Sequence, residues 1–164
     1  MEDYFIKSLI LAKPLLSSID SIIARYSCLK FAKFLLEEAI IDRGDYVRLV
    51  KIIKQTNPNS KGYDINFITS SQTWILAELK CFTPVNGDEF GGAQKTAIIN
   101  DITRLKSLSK LKNKNGNPLR FFAMLCIDKQ PQKAFSRLNR TKKLRVVSFK
   151  RGNTPKFGKV YSVF

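Results

Sequence analysis

Residues 119 to 128 read LRFFAMLCID, a run that is apolar at nearly every position. A strand with one wet face alternates apolar and polar residues, whereas a strand apolar on both faces is covered on both sides, which in practice means helices packed over a sheet. This run therefore predicts a central strand and calls for helices to flank it. The chain supplies them. From about Leu15 to Ile41 apolar residues recur at spacings of three and four (Ile19, Ile22, Ile23, Leu29, Phe34, Leu35, Ile41), a helical region that can break near Tyr26. Ala93 to Leu108 repeats the pattern with Ile98, Ile102, Leu105 and Leu108.

The remaining segments fill in the sheet. YVRLVKIIK (46–54) is rich in β-branched residues and reads as a strand, with a helix as the alternative. Strands are expected at 64–69 and 73–81, on either side of a turn at Ser70-Ser71-Gln72. A short helix near Gln132–Leu138 and two strands, LRVVSFK and GKVYSVF, follow the central strand. QTNPNSKG, TPVNGDEFGG and KNKNGNP are loops by composition. The order helix, three strands, helix, strand describes an α/β fold with a mixed central sheet flanked by helices. With 164 residues and 44% hydrophobic content there is material for one core. One domain is expected over 1–164, with an N-terminal helical region 1–43, a core at about 44–127 and a basic segment 128–164.

Charge divides the chain unevenly. Residues 1–101 hold 12 Lys and Arg against 12 Asp and Glu, so the net +16 lies entirely beyond Asp101, where 17 basic residues face the single acid Asp128. A basic half joined to a neutral half is the footprint of a surface that meets a polyanion, with nucleic acid the leading partner. A solubilising face or a patch for anionic lipid are the alternatives. SLILAKPLL and RFFAMLCID are too short or interrupted to span a bilayer, so no membrane insertion is expected. The start, Met1-Glu2-Asp3, is acidic where a signal peptide is basic. Cys28, Cys81 and Cys126 form no Cys-x-x-Cys pair and the chain has no histidine. That argues against a zinc site and places the thiols of Cys28 and Cys126 in a core within a reducing compartment, hence a cytoplasmic location. It also removes histidine bases and Ser-His or Cys-His nucleophiles.

Chemistry then falls to carboxylates, amines and a bound ion. In DINFITSSQTWILAELK (64–80) Glu78 and Lys80 share one strand face, and an antiparallel pairing through the turn brings Asp64 to the same end. Two carboxylates so placed repel and resist ionisation unless a cation joins them. Mg²⁺ accepts one or two carboxylates and completes its shell with water and phosphate oxygens, and an ammonium beside it neutralises charge developing on phosphorus. The bland reading is a chance spacing on a solvated strand face.

GYDINFI followed by WILAELK resembles the PD-(D/E)XK nuclease superfamily, which places an Asp on one strand and Glu-x-Lys on the next within an α-β-β-β-α-β restriction-endonuclease-like core. The resemblance covers roughly residues 29–127 and departs from the family pattern at Tyr63, where proline would precede the Asp. It implies that Asp64, Glu78 and the backbone carbonyl of Leu79 bind Mg²⁺, with Mn²⁺ able to substitute, and that Lys80 positions the attacking water. A further first-helix acid is implied, Glu38 in the first place and Glu37 as the alternative. Polar residues on the helix after the site, Gln94, Lys95 and Arg104 beside Asp101, are candidates for buttressing or DNA contact, although any amphipathic helix has such a face. Lys142, Lys143 and Arg151 extend the expected DNA surface, and Trp74 is read as packing.

The expected function is a Mg²⁺-dependent endodeoxyribonuclease, restriction-like in character and able to act as a homodimer. A Holliday-junction resolvase, a DNase toxin domain, an RNA-directed nuclease and a non-catalytic nucleic-acid-binding protein are the alternatives.

Overall fold

A computed structural model describes residues 2–12, 19–56, 62–85, 89–107, 117–126 and 128–164. The expected loop centres at 57–61, 86–88 and 108–116, and the expected helix end Leu108, lie outside the described residues. In chain order the elements are α1 (Glu2–Ala12), α2 (Asp20–Glu37), α3 (Arg43–Gln55), β1 (Ile65–Ile68), β2 (Trp74–Lys80), α4 (Gly92–Ser107), β3 (Leu119–Met124), α5 (Gln130–Thr141), β4 (Val147–Ser148) and β5 (Val160–Val163).

The strands form one mixed sheet in the order β1-β2-β3-β5-β4. β1 is antiparallel to β2, while β2, β3, β5 and β4 run parallel to their neighbours. Helix α4 carries the chain from β2 to its parallel neighbour β3, the crossover that a parallel pair requires. β3 is central and buried at all six positions, as its two-faced apolar run demands. Its alternate residues feed two separate cores. Phe121 and Ala123 pack with Phe31 and Leu35 of α2 and Leu49 and Ile53 of α3, whereas Phe122 and Met124 pack with Ile98 and Ile102 of α4 and Phe135 of α5. Each fully buried phenylalanine contributes roughly 1.5–3 kcal/mol relative to exposure. A third cluster joins Ile6 and Ile10 of α1 to Ile19, Ile23 and Tyr26.

The segment 46–54, expected as a strand, is helix α3. Its apolar residues Tyr46, Leu49, Val50 and Ile53 follow the helical period, and Leu49 and Ile53 are buried one turn apart. Asp42 caps the start by accepting from the Asp45 amide at 2.8 Å, and Lys54 lies in the last turn, where a cation complements the helix dipole. Only two strands therefore stand between α2 and α4, and the order α-β-β-β-α-β is not observed. α2 continues through Tyr26 without a break, because Tyr26 and Ser27 are buried and the helix face is continuous there. α5 is longer than expected and begins with Pro131 in its first turn, where the missing N–H costs nothing.

The hairpin matches its expected position. Gln72 takes a positive φ of 64°, and its amide donates to the Thr69 carbonyl at 3.0 Å, closing the turn. Helix α3 holds that turn: the buried Asp45 carboxylate accepts from the Ser70 amide (2.9 Å) and hydroxyl (3.0 Å), and Arg48 donates to the Ile68 carbonyl at 2.8 Å.

Candidate active site

β1 and β2 pair with Ile65 opposite Ala77, so the next step along the register sets Asp64 opposite Glu78. Asp64 is held from two sides. Its Oδ2 accepts from the Leu79 amide at 2.7 Å, and its carbonyl accepts from the Cys28 thiol at 3.8 Å. Glu78 and Lys80 point to the face that α4 covers, as alternation requires. There α4 presents Asp101 and Arg104, three residues apart and thus on one side of the helix.

Four of these groups form a chain of ion pairs beside Asp64. Lys80 Nζ lies 2.7 Å from Asp101 Oδ2, Arg104 makes a short ion pair with Glu78, and Arg104 also reaches Asp101 at 3.5 Å. The Arg104 guanidinium lies 5.0 Å from the centroid of the Tyr63 ring, and the Tyr63 hydroxyl donates to the Arg104 carbonyl at 3.3 Å. Glu78 is the most enclosed member, with its side chain 2% exposed. Burial, followed by the charges of Asp64 and Asp101, pushes its carboxyl up to about 8, against the pull of Arg104 and Lys80. Burial also raises Asp64, against the Leu79 hydrogen bond and the Lys80 charge. Three acids share two cations here, and the excess negative charge is what burial penalises.

An oxygen-only pair of carboxylates, with Glu78 buried and its ionisation resisted, suits a hard divalent cation, which would favour the charged form. Among the described residues no group of three or more His, Cys, Asp or Glu is arranged to hold a metal ion, and Asp101 is engaged by Lys80. The donor set is thus a pair, not a cage, and a pair is what Mg²⁺ takes from protein when phosphate and water complete its shell.

The structure brings together Asp64, Glu78, Leu79, Lys80 and Arg104. Glu38 does not join them. It follows the last residue of α2, accepts from the Gly152 amide at 2.8 Å, and shares a cleft with Thr73 and Leu119 at the opposite ends of the strands. The reason is direction: Cys28 of α2 touches Asp64, and the helix runs from there toward the strand starts. Glu37, the alternative, is exposed and pairs with Lys33 at 3.5 Å. Gln94 is used within the loop before α4, donating to the Thr83 carbonyl at 3.1 Å and accepting from the Gly91 amide at 3.0 Å, while Lys95 pairs with Glu89 at 3.4 Å. Lys142 and Lys143 are exposed in the turn after α5, and Arg151, 83% exposed, lies 3.5 Å from Glu38. Cys126, expected in a core, is half-buried at the end of β3, whereas Cys28 is buried; the three cysteines are free thiols. Trp74 is buried and donates to Asn66 Oδ1 at 2.9 Å, in keeping with a packing role.

Asp101 and Tyr63 are the members that sequence reasoning did not place. A signal was present for Asp101, which follows Ile98 by three residues and precedes Ile102, so it lies at the margin of the buried stripe.

The fold and site define an α/β protein with a carboxylate pair and a lysine at one end of a mixed sheet. No protein-family model matches the chain, and no curated protein and no solved structure matches it either. Among the described residues no helix is long and apolar enough to cross a membrane.

Proposed function

We propose that this protein is a Mg²⁺-dependent endodeoxyribonuclease of the PD-(D/E)XK type. The observation that carries the reading is the placement of Asp64 opposite Glu78 on an antiparallel strand pair, with Lys80 two residues further on and Leu79 tied to Asp64 between them. In this reading β1, β2, α4 and β3 correspond to the later part of the restriction-endonuclease-like core. Helix α3 stands in the chain where that core has its first strand, a departure from the family's pattern.

Asp64, Glu78 and the Leu79 carbonyl would hold Mg²⁺, and Mn²⁺ could substitute. When bound, the ion supplies Lewis-acid stabilisation of the charge that develops at phosphorus. The protein's own groups orient the reactants. Lys80, steadied by Asp101, places its ammonium beside the attacking water and the phosphate. Arg104 contacts Glu78 in the resting protein, and its half-exposed guanidinium can turn to a phosphate oxygen. The water oxygen bonds to phosphorus as the bond to O3′ breaks, leaving a 5′-phosphate and a 3′-hydroxyl. The basic residues beyond Asp101 would track the backbone of DNA, and pairing of two copies would allow both strands to be cut.

One observation favours a second reading, a non-catalytic nucleic-acid-binding protein. Lys80–Asp101 and Arg104–Glu78 balance much of the cluster internally, as a structural ion network does. Incubating the wild type, Asp64→Ala and Lys80→Ala with supercoiled plasmid and a four-way junction, in Mg²⁺ and in EDTA, separates the two. Cleavage by the wild type in Mg²⁺ alone, lost in both variants, is the expected result. Discrete plasmid fragments would indicate a restriction-like role and preferential junction cutting a resolvase, whereas equal binding by all three proteins without cleavage would sink the nuclease reading.

A further inference from the structure

The four parallel strands end on one side of the molecule, and a ligand crevice in an open α/β sheet belongs outside those carboxyl ends. A cleft of about 280 Å³ lies there, between the flank of α2 and the last residues of β2, β3 and β5. Its floor includes Leu79, the residue that separates Glu78 from Lys80, so the cleft and the acid cluster share one backbone segment. None of the proposed metal ligands or their cations lines it apart from Leu79.

The walls have two kinds of side chain. Phe34, half-buried and stacked on Phe31 at 5.6 Å and 26°, lines the α2 side, and Phe164 lines the opposite wall with 38% of its surface exposed. Three cations, Lys30, Lys33 and Arg151, lie along the same cleft: Lys33 pairs with its one acid, Glu37, Arg151 lies 3.5 Å from Glu38, and the Lys30 ammonium lies 5.2 Å from the centroid of the Tyr26 ring. Aromatic rings beside a row of cations are what a single strand of nucleic acid needs, bases stacking on the rings and phosphates following the charges. The volume falls just below the roughly 300–1,000 Å³ of small-molecule pockets and is enough for a base.

We propose that this cleft receives an unpaired nucleotide next to the scissile phosphate, so that the preferred substrate is DNA with a single-stranded segment beside the cut, such as an overhang, flap or splayed junction. This rests on the nuclease reading for the identity of the neighbouring site, but the cleft can be tested without cleavage.

The wild-type chain in EDTA is titrated into a duplex whose short overhang carries 2-aminopurine, and into a blunt duplex with the same base paired. The fluorescence of 2-aminopurine is quenched by stacking. Quenching on the overhang alone, with about tenfold tighter binding than to the blunt duplex, is expected. Phe164→Ser should remove the quenching, and the double variant Lys30→Gln, Lys33→Gln should weaken overhang binding about tenfold, both with unchanged circular dichroism. Lys30 and Lys33 lie outside the three cores, whereas the Phe164 ring also packs on the buried Phe135 at 5.3 Å, so the unchanged circular dichroism is the control that the Phe164→Ser result needs. Equal affinity for the two duplexes, quenching that survives Phe164→Ser, or displacement of the overhang by equimolar dAMP would each overturn the proposal. Failure of the two readings is distinguishable: plasmid cleavage without quenching removes the cleft and keeps the nuclease, and quenching without any cleavage does the reverse.

Discussion

Lys80 Nζ lies 2.7 Å from Asp101 Oδ2, an ion pair that joins the end of β2 to the middle of α4. It is largely enclosed, with the Lys80 side chain 23% and the Asp101 side chain 13% exposed. A long flexible amine is useful in catalysis only when its position is fixed, and Asp101 is the group that fixes it. Asp101→Asn should therefore lower the cleavage rate by roughly ten- to a hundredfold while leaving DNA affinity unchanged. A fall in affinity equal to the fall in rate would instead make Asp101 a support for the DNA surface. Loss of a charge-assisted contact in this setting should cost about 2 kcal/mol of stability, readable in urea unfolding.

The Glu78 carboxyl gives the metal-free protein a characteristic pH response. Its folded pKa is raised to about 8 from an ordinary 4.5 by burial and by Asp64 and Asp101, with Arg104 and Lys80 opposing. Between those two values the folded state holds a proton that the unfolded state has released, so this group's contribution to stability falls as pH rises. Its slope approaches roughly 1.4 kcal/mol per pH unit at most, and it flattens above about 8. Asp64, also raised, adds in the same direction. Glu78→Gln should remove most of this slope in unfolding curves taken from pH 5 to pH 9. Mg²⁺ needs the ionised carboxylates, so thermal stabilisation of the wild type by Mg²⁺ should grow across the same interval and be absent in Glu78→Gln.

How much of this was legible depends on whether local pattern or tertiary placement decides the outcome. β3 was legible because a run apolar on both faces has few alternatives, and the β1–β2 hairpin because turn chemistry and alternation agreed over Ser70-Ser71-Gln72. The register that sets Asp64 opposite Glu78 followed from the turn. α3 was misread because the β-branched composition of YVRLVKIIK outweighed the helical spacing of Tyr46, Leu49, Val50 and Ile53. Glu38 was misplaced because the direction in which α2 crosses the sheet is a tertiary property that no residue near Glu38 encodes. Asp101 and Arg104 were seen as polar neighbours of a stripe, but only the packing of α4 on β2 shows which of its polar residues turn inward.

Asp45 is the joint between α3 and the hairpin. Its carboxylate is 3% exposed, accepts from the Ser70 amide and hydroxyl, and pairs with Arg48 at 3.2 Å. Asp45→Ala leaves the Ser70 amide without its partner and should cost about 2–4 kcal/mol. Since the turn is at the far end of the hairpin from Asp64, cleavage under fully folded conditions should change less than threefold. A large loss of activity with stability preserved would show that α3, in place of a strand, sets the register of the acids.

Arg120 presents the opposite situation, a charge with too few partners. It lies on β3 opposite Leu76, is 2% exposed, and its Nε and Nη2 have no hydrogen-bond partner among the described residues. Burial pushes the guanidinium pKa down, with Tyr63 opposing. A buried cation left partly unpaired is a cost that an apolar side chain of similar length avoids. Arg120→Met should thus be neutral or stabilising by about 1–3 kcal/mol in urea unfolding, with near-wild-type cleavage. Destabilisation of that size would mean that the guanidinium is satisfied by groups outside the described residues. Tyr63, which feels the charges of Arg104, Glu78 and Arg120, offers a second readout: its titration should shift upward when the Arg120 charge is removed, because that charge favours the phenolate.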